Sequence, residues 1–236
     1  MISTIKRQIF PIYILVLLTL VFSSCISVER TIKLNSDGSG EEVLKLIYQK
    51  EFYNMLGTFT MMFDSTGGQS NLMDSMYNAT SELSKLRSSF ESSEGLKLIE
   101  SYSRIQPDSS NLVYVNYAFD SVYKIGESMN KVSDDFEDQP AKITYETEDG
   151  NIVFRYLYES PDVGNDPSAD SLKAQMMSGM ASMFQNGKFR FELNSPYDVV
   201  SSNATSQDGR NLVWDLPLSD IITNNRLLIE AVLKPE

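Results

Sequence analysis

Lys142-Ile-Thr-Tyr-Glu-Thr-Glu-Asp-Gly-Asn-Ile-Val-Phe-Arg-Tyr-Leu-Tyr158 carries the strongest local signal in the chain. Ile143, Tyr145 and Thr147 alternate into Glu148-Asp149-Gly150-Asn151, and Ile152, Phe154, Tyr156 and Tyr158 alternate out of it. A period of two marks strands with one buried face. An Asp-Gly pair supplies the positive φ angles of a tight hairpin turn, so an antiparallel hairpin is predicted here.

The same alternation recurs on both sides. Val28, Ile32 and Leu34 share a face, with Glu29, Thr31 and Lys33 opposite, and Asn35-Ser36-Asp37-Gly38-Ser39-Gly40 is a turn by composition. Leu44, Leu46 and Tyr48 then return as a second strand. Strands are expected at Leu96 to Ile105 and Leu112 to Phe119, with Val113, Val115, Tyr117 and Phe119 in phase. Later, Phe189, Phe191 and Leu193 share a phase, as do Leu212, Trp214 and Leu216, and then Leu227, Ile229, Ala231 and Leu233. Tyr197 to Ser201 reads as a further strand, Ser206 to Gly209 as a loop and Asp220 to Asn225 as a connector.

Between the strands the period changes. From Lys50 to Glu94, Phe52, Leu56, Phe59 and Phe63 recur at helical spacing, and after Gly67-Gly68 so do Leu72, Met76, Ala79, Leu83, Leu86 and Phe90. This insert, about 50–94, reads either as a helix pair packed on the sheet or as a partner-binding coiled-coil arm. Shorter helices are expected at Ser121 to Lys131 and Ser168 to Gln185. The predicted fold is α+β, a mainly antiparallel sheet with helical insertions in a single domain over 25–236.

Residues 1–24 have the layout of a signal peptide: Lys6 and Arg7, an apolar run from Ile9 to Phe22, then Ser23-Ser24 before Cys25. A membrane span needs about 20 apolar residues, and Pro11 interrupts this shorter run. Cys25 is the single cysteine in the sequence. Its position resembles the lipobox of bacterial lipoproteins, which implies cleavage before Cys25 and a diacylglyceryl thioether with an acylated amine on it. Phe22 stands where that family most often has Leu. Several acyl chains inserted together make a durable anchor, so the resemblance implies a protein held on a membrane through the lipid on Cys25.

Composition narrows the chemistry. The net charge is −12, and loss of Lys6 and Arg7 takes it to −14, with 18 basic against 32 acidic residues. Nucleic acid is not an expected partner, since its binding rests on basic surface. The chain has no histidine, and so lacks the commonest neutral-pH base and metal ligand. Ser84-Lys85 lacks the Ser-x-x-Lys spacing of serine enzymes, and Gly38-Ser39-Gly40 lacks the rest of a phosphate loop. The acidic run 134–138 lacks the ligand spacing of a calcium loop. No catalytic residue, metal or cofactor is expected. Four Asp-Ser/Thr triplets, at Asp64, Asp74, Asp120 and Asp170, resemble a short bacterial O-glycosylation signal and equally fit helix N-caps.

Eleven methionines are the unusual count. Met176, Met180, Met183 and Phe184 line one side of the helix expected at Ser168 to Gln185. Flexible thioethers there fill a core, form an apolar ligand groove with Phe184, or offer soft ligands to copper(I). The groove of Met176, Met180, Met183 and Phe184 is the candidate binding site.

Ile32-Lys-Leu-Asn-Ser-Asp-Gly-Ser-Gly-Glu, Phe189 to Leu193, Val199-Val-Ser-Ser-Asn and Asp208-Gly-Arg-Asn-Leu-Val-Trp214-Asp-Leu-Pro resemble the LppM-like lipoprotein domains of bacterial envelopes. That resemblance spans about a third of the mature chain and implies an envelope α+β module, in a family suspected of binding lipid. No functional residue carries over from it. The chain also resembles lipoproteins of Bacteroidota, and Ile26-Ser27-Val28 in place of an acidic run after Cys25 implies the periplasmic face of the outer membrane. The expected role is a non-catalytic binding or assembly module for an apolar ligand or an envelope protein. The alternatives are a hydrolase acting on envelope material and a structural spacer.

Overall fold

The computed structural model describes residues 26–53, 80–125, 141–159, 184–224 and 226–235. The strands among them are β1 (Ile26–Leu34), β2 (Gly40–Tyr48), β3 (Leu96–Ile105), β4 (Asn111–Phe119), β5 (Lys142–Glu148), β6 (Asn151–Glu159), β7 (Lys188–Asn194), β8 (Asp198–Ser202), β9 (Ser206–Asp208), β10 (Asn211–Pro217) and β11 (Arg226–Lys234). Two helices accompany them, α1 (Thr80–Glu91) and α2 (Leu218–Asn224).

The hairpin expected at 142–158 is β5 and β6, paired antiparallel with Glu148 opposite Asn151. Its turn residues Asp149 and Gly150 have φ of 51° and 80°, the two positive angles a two-residue turn requires. A second turn design occurs twice. In 35–39 and 106–110 the aspartate, Asp37 or Asp108, accepts hydrogen bonds from the backbone N–H and the hydroxyl of the serine two residues on. The residue between them is left-handed, Gly38 at 82° and Ser109 at 67°.

The strands form two sheets rather than the one expected. Seven strands run in the order β3-β4-β2-β1-β7-β10-β9 and four in the order β5-β6-β11-β8. All pairings are antiparallel except β1 with β7, which lie parallel with Val28 opposite Phe189 and Ile32 opposite Leu193. The helical share is small among the described residues, 12 residues in α1 and 7 in α2, with further helical residues at 50–53 and 124–125. The fold is therefore mostly β, and the predicted α+β fold with a mainly antiparallel sheet holds only loosely, the described helices being few and short. Much of the helix expected at 50–94, 121–131 and 168–185 lies outside the described residues. The connector expected at Asp220 to Asn225 is part of α2, and the loop at 206–209 contains β9.

One core joins the sheets. The buried phase of β7 and β10 meets that of β6 and β11, with Phe191 at the centre: its ring lies 6.3 Å from Phe154, 5.5 Å from Tyr156 and 5.7 Å from Trp214. Truncating a buried phenylalanine to alanine costs about 3–5 kcal/mol. Four strands cannot cover seven, and α1 fills part of the remainder. Leu83, Leu86 and Phe90 enter the same core, the Phe90 ring 5.1 Å from Tyr117. Asn203 ties the sheets along one side, since its Oδ1 accepts from Trp214 Nε1 at 2.7 Å and from the Glu230 N–H at 2.8 Å.

The outward face of the larger sheet carries a row in register across six strands: Tyr102, Tyr114, Lys45, Glu29, Arg190 and Asp215. The two tyrosines stack at 4.8 Å, Lys45 pairs with Glu29 at 3.3 Å, and Arg190 pairs with Asp215 at 3.0 Å.

Candidate functional site

Three features stand out from ordinary packing, and the first is inside. Arg30 shares the inward phase of Val28, Ile32 and Leu34, and Glu42 that of Leu44; both are 1% exposed. Arg30 sits opposite Leu44 and Glu42 opposite Ile32, so the two meet diagonally across the β1–β2 hairpin. Arg30 Nε donates to Glu42 Oε1 at 2.6 Å and Nη1 donates to the Tyr156 hydroxyl at 2.7 Å. Tyr117 donates its hydroxyl to Glu42 Oε2. The guanidinium also lies 4.9 Å from the Tyr156 ring centre, a cation–π distance.

Burial disfavours the Arg30 charge, but the Glu42 carboxylate, with Tyr156 and Tyr117, outweighs it and holds the guanidinium above its ordinary value. Burial raises the Tyr156 phenol, helped by the Glu42 charge and opposed by Arg30. Arg30 Nη2 is buried without a partner. The cluster fastens β1, β2, β4 and β6 together; it is enclosed, and its chemistry is that of a structural tie.

The second feature is the end of the sandwich where β1 begins. Ile26, Phe52 and Tyr53 are buried there, with Val28, Tyr48, Phe184 and Leu218 packed against them. The Phe52 ring lies 5.5 Å from Tyr48, 5.8 Å from Tyr53 and 6.5 Å from Phe184, and burial raises the Tyr48 phenol. Gly187 permits the close approach of α2, because a Cβ on it would stand 2.8 Å from Leu218 Cδ1 and 3.0 Å from the Phe184 carbonyl. Of the predicted groove, Phe184 falls in this aromatic cluster, while Met176, Met180 and Met183 lie outside the described residues. So does Cys25, one residue before β1.

The third feature is an open cleft of about 540 Å³ between α1 and β3. Its apolar lining comes from Phe90, Leu96, Leu98 and Ile99, and its polar lining from Arg87, Glu91, Lys97, Glu100 and Ser101. A bulge between Leu98 and Glu100 breaks the ladder with β4 and leaves Ile99 exposed at the lip. Arg87 fixes the helix to the strand, donating from Nη2 to the Ser101 carbonyl at 2.8 Å and from Nε to its Oγ at 3.1 Å. Such a lining suits an apolar group with a polar end. Among the described residues no group of three or more His, Cys, Asp or Glu side chains is arranged to hold a metal ion.

The missed residues had a sequence signal. Arg30 and Glu42 are charges in the apolar phase of two strands joined by one turn, which places them within reach of each other on the inner face. The cleft had none, because a bulge that adds one residue leaves no turn composition behind.

These features belong to a mostly β class of protein, two stacked sheets with one helix laid into the core. No family model and no curated protein sequence matches the chain. Among solved structures, the chain is similar to the NMR structure of the folded domain of LppM from Mycobacterium tuberculosis. The TM-score is 0.45 and the identity 9%, over 89% of this chain and 90% of that one.

Proposed function

We propose that the protein is a lipid-anchored, non-catalytic binding or assembly module on the periplasmic face of the outer membrane. Its partner in this reading is an apolar ligand or another envelope protein. The observation that carries the proposal is the absence of slack between Cys25 and the fold: β1 starts at Ile26, whose side chain is already 6% exposed in the aromatic cluster. An acylated Cys25 would hold that end of the sandwich against the bilayer, with no linker to let it swing. Among the described residues no helix is long and apolar enough to cross a membrane, and the lipid would be the attachment. Ile26-Ser27-Val28 after Cys25, in place of an acidic run, supports the periplasmic face. The cleft between α1 and β3 supports the binding role, with apolar side chains set among two cations, Arg87 and Lys97, and two carboxylates, Glu91 and Glu100.

Globomycin, which blocks lipoprotein signal cleavage, tests the anchor. The expected result is a shift of the protein to its unprocessed size, with Cys25→Ser released from the membrane fraction. An unshifted band with Cys25→Ser still in the membrane overturns it. For the binding role, protein extracted in mild detergent is expected to bring a lipid or protein partner with it, and purification free of both counts against that role.

A further inference from the structure

β3 is the outermost strand of the seven-stranded sheet, and among the described residues no strand lies beyond it. A free edge is a row of unpaired backbone donors and acceptors, which proteins usually blunt with bulges, short strands or repelling charges. β3 is ten residues long; a bulge between Leu98 and Glu100 interrupts it towards one end, and from Glu100 to Ile105 its register with β4 is regular. Glu100 and Arg104 stand two residues to either side of Tyr102, all three on the outward face. Ile99 and Ile105 stand three to either side, 49% and 50% exposed. The strand therefore reads the same in both directions, with opposite charges at its mirrored positions.

We infer that β3 pairs with the β3 of a second copy of this chain, antiparallel about a two-fold axis through Tyr102, so that two seven-stranded sheets become one. In that register Glu100 faces the second copy's Arg104 and Arg104 faces its Glu100. Ser101 faces Ser103 twice, and Tyr102 faces its own copy. Directly opposite residues have Cβ atoms about 4.5–5.5 Å apart, where opposite charges and aromatic pairs attract and like charges repel. Registers centred on Glu100 or on Arg104 set like charges face to face, whereas the one centred on Tyr102 leaves none opposed. The existing stack of Tyr102 on Tyr114, 4.8 Å apart and 13° from parallel, becomes a row of four tyrosines.

The local charge is suited to this. The chain carries −12 overall, yet β3 has Lys97 and Arg104 against a single Glu100, so two copies of this strand do not set acidic charge against acidic charge. Arg87 uses one lone pair of the Ser101 carbonyl, and a carbonyl oxygen has two. The bulge beside Ile99 ends the paired stretch there. Such an interface is isologous: every contact occurs twice, and the assembly closes at two copies.

The test uses the full chain in its native membranes. Tyr102→Cys, oxidised with copper phenanthroline, is expected to give a disulfide-linked dimer, since directly opposed residues fall within disulfide reach. Tyr114→Cys, one strand inward and about 14 Å from its counterpart at strand spacings of about 4.8 Å, is expected to form no disulfide, as is the wild type. Adding Arg104→Glu to Tyr102→Cys should lower the dimer yield by roughly fivefold or more, because both mirrored pairs become repulsive. Adding Glu100→Arg as well should restore it. Sedimentation of the wild type in detergent, which requires no substitution, should give the mass of two chains. A monomer by sedimentation, equal cross-linking at positions 102 and 114, or a dimer yield indifferent to the charge reversals overturns the inference. Because this inference does not rest on Cys25, its failure leaves the anchor standing.

Discussion

The larger sheet holds arginine–carboxylate pairs on both of its faces, and the two faces treat them differently. Inside, Arg30 and Glu42 are each 1% exposed, and Tyr156 and Tyr117 add a hydrogen bond to each. Outside, Arg190 and Asp215 are 43% and 54% exposed, and water serves each as well as its partner does. Geometry does not separate them, since both are close cross-strand contacts; solvent does. Taking ions out of water is expensive, so a buried pair is tolerated because both members are present. An exposed pair loses little when one member goes.

Glu42→Gln should bring the largest effect. It leaves the Arg30 cation buried without a counter-charge, and a loss of about 3–5 kcal/mol is expected in urea denaturation. Replacing the whole cluster, Arg30→Met and Glu42→Leu with Tyr117→Phe and Tyr156→Phe, should recover that loss in full or in large part, because well-packed apolar groups match or better a buried ion pair and no hydroxyl is left without its partner. A fourfold variant as unstable as Glu42→Gln would mean that the cluster has a role beyond its own charges and hydrogen bonds.

Tyr156→Phe comes next. It removes the acceptor of Arg30 Nη1 while keeping the ring, and a loss of about 1–3 kcal/mol is expected for a buried donor left unsatisfied. On the outward face, Lys45→Ala and Asp215→Ala should each cost about 1 kcal/mol or less, and the difference from wild type should shrink as salt is added. A cost on the outer face equal to that at Glu42 would break the comparison.

Tyr145, at the rim between inside and outside, gives the mildest effect. Burial first, then the neighbouring Tyr197 and Asp37, push its phenol up to about 12 from an ordinary value of about 10. The neutral form is favoured in the fold. Its contribution to stability is complete below pH about 10 and is lost as pH rises through about 12. Absorbance at 295 nm should show several tyrosines titrating late, Tyr48 and Tyr156 among them, and Tyr145→Phe should reduce that late amplitude by one tyrosine.

Much of the β architecture was legible from alternation, because a half-buried strand writes its two faces directly into the sequence. Ile143 to Tyr158, Phe189 to Leu193 and Leu227 to Leu233 fall in the strands expected of them. What alternation cannot express is choice of neighbour. Nothing in Val28, Ile32 and Leu34 announces Phe189, Phe191 and Leu193 as their parallel partners, since any apolar strand of the right length satisfies the same pattern. α2 was read as a connector because Ser219 and Asp220 mark a loop as readily as a helix start. Arg30 and Glu42 escaped because an apolar pattern tolerates a gap, and a charge filling that gap is seen only once the two strands are paired. At the candidate site, Phe184 was legible as apolar, but its place beside Phe52 depends on a contact between residues 132 positions apart in the sequence.

The parallel pairing of β1 with β7 bears on the order of assembly. β1 is the first described strand, yet it lies in the middle of its sheet, and one of its two neighbours begins only at Lys188. A chain that emerges from its N-terminus can form the β1–β2 hairpin early, but one edge of β1 stays unpaired until synthesis has passed Lys188 and reached β7. Contacts so distant along the chain slow folding and leave strand edges open in the meantime. During that wait the nascent protein depends on whatever shields an unfinished sheet.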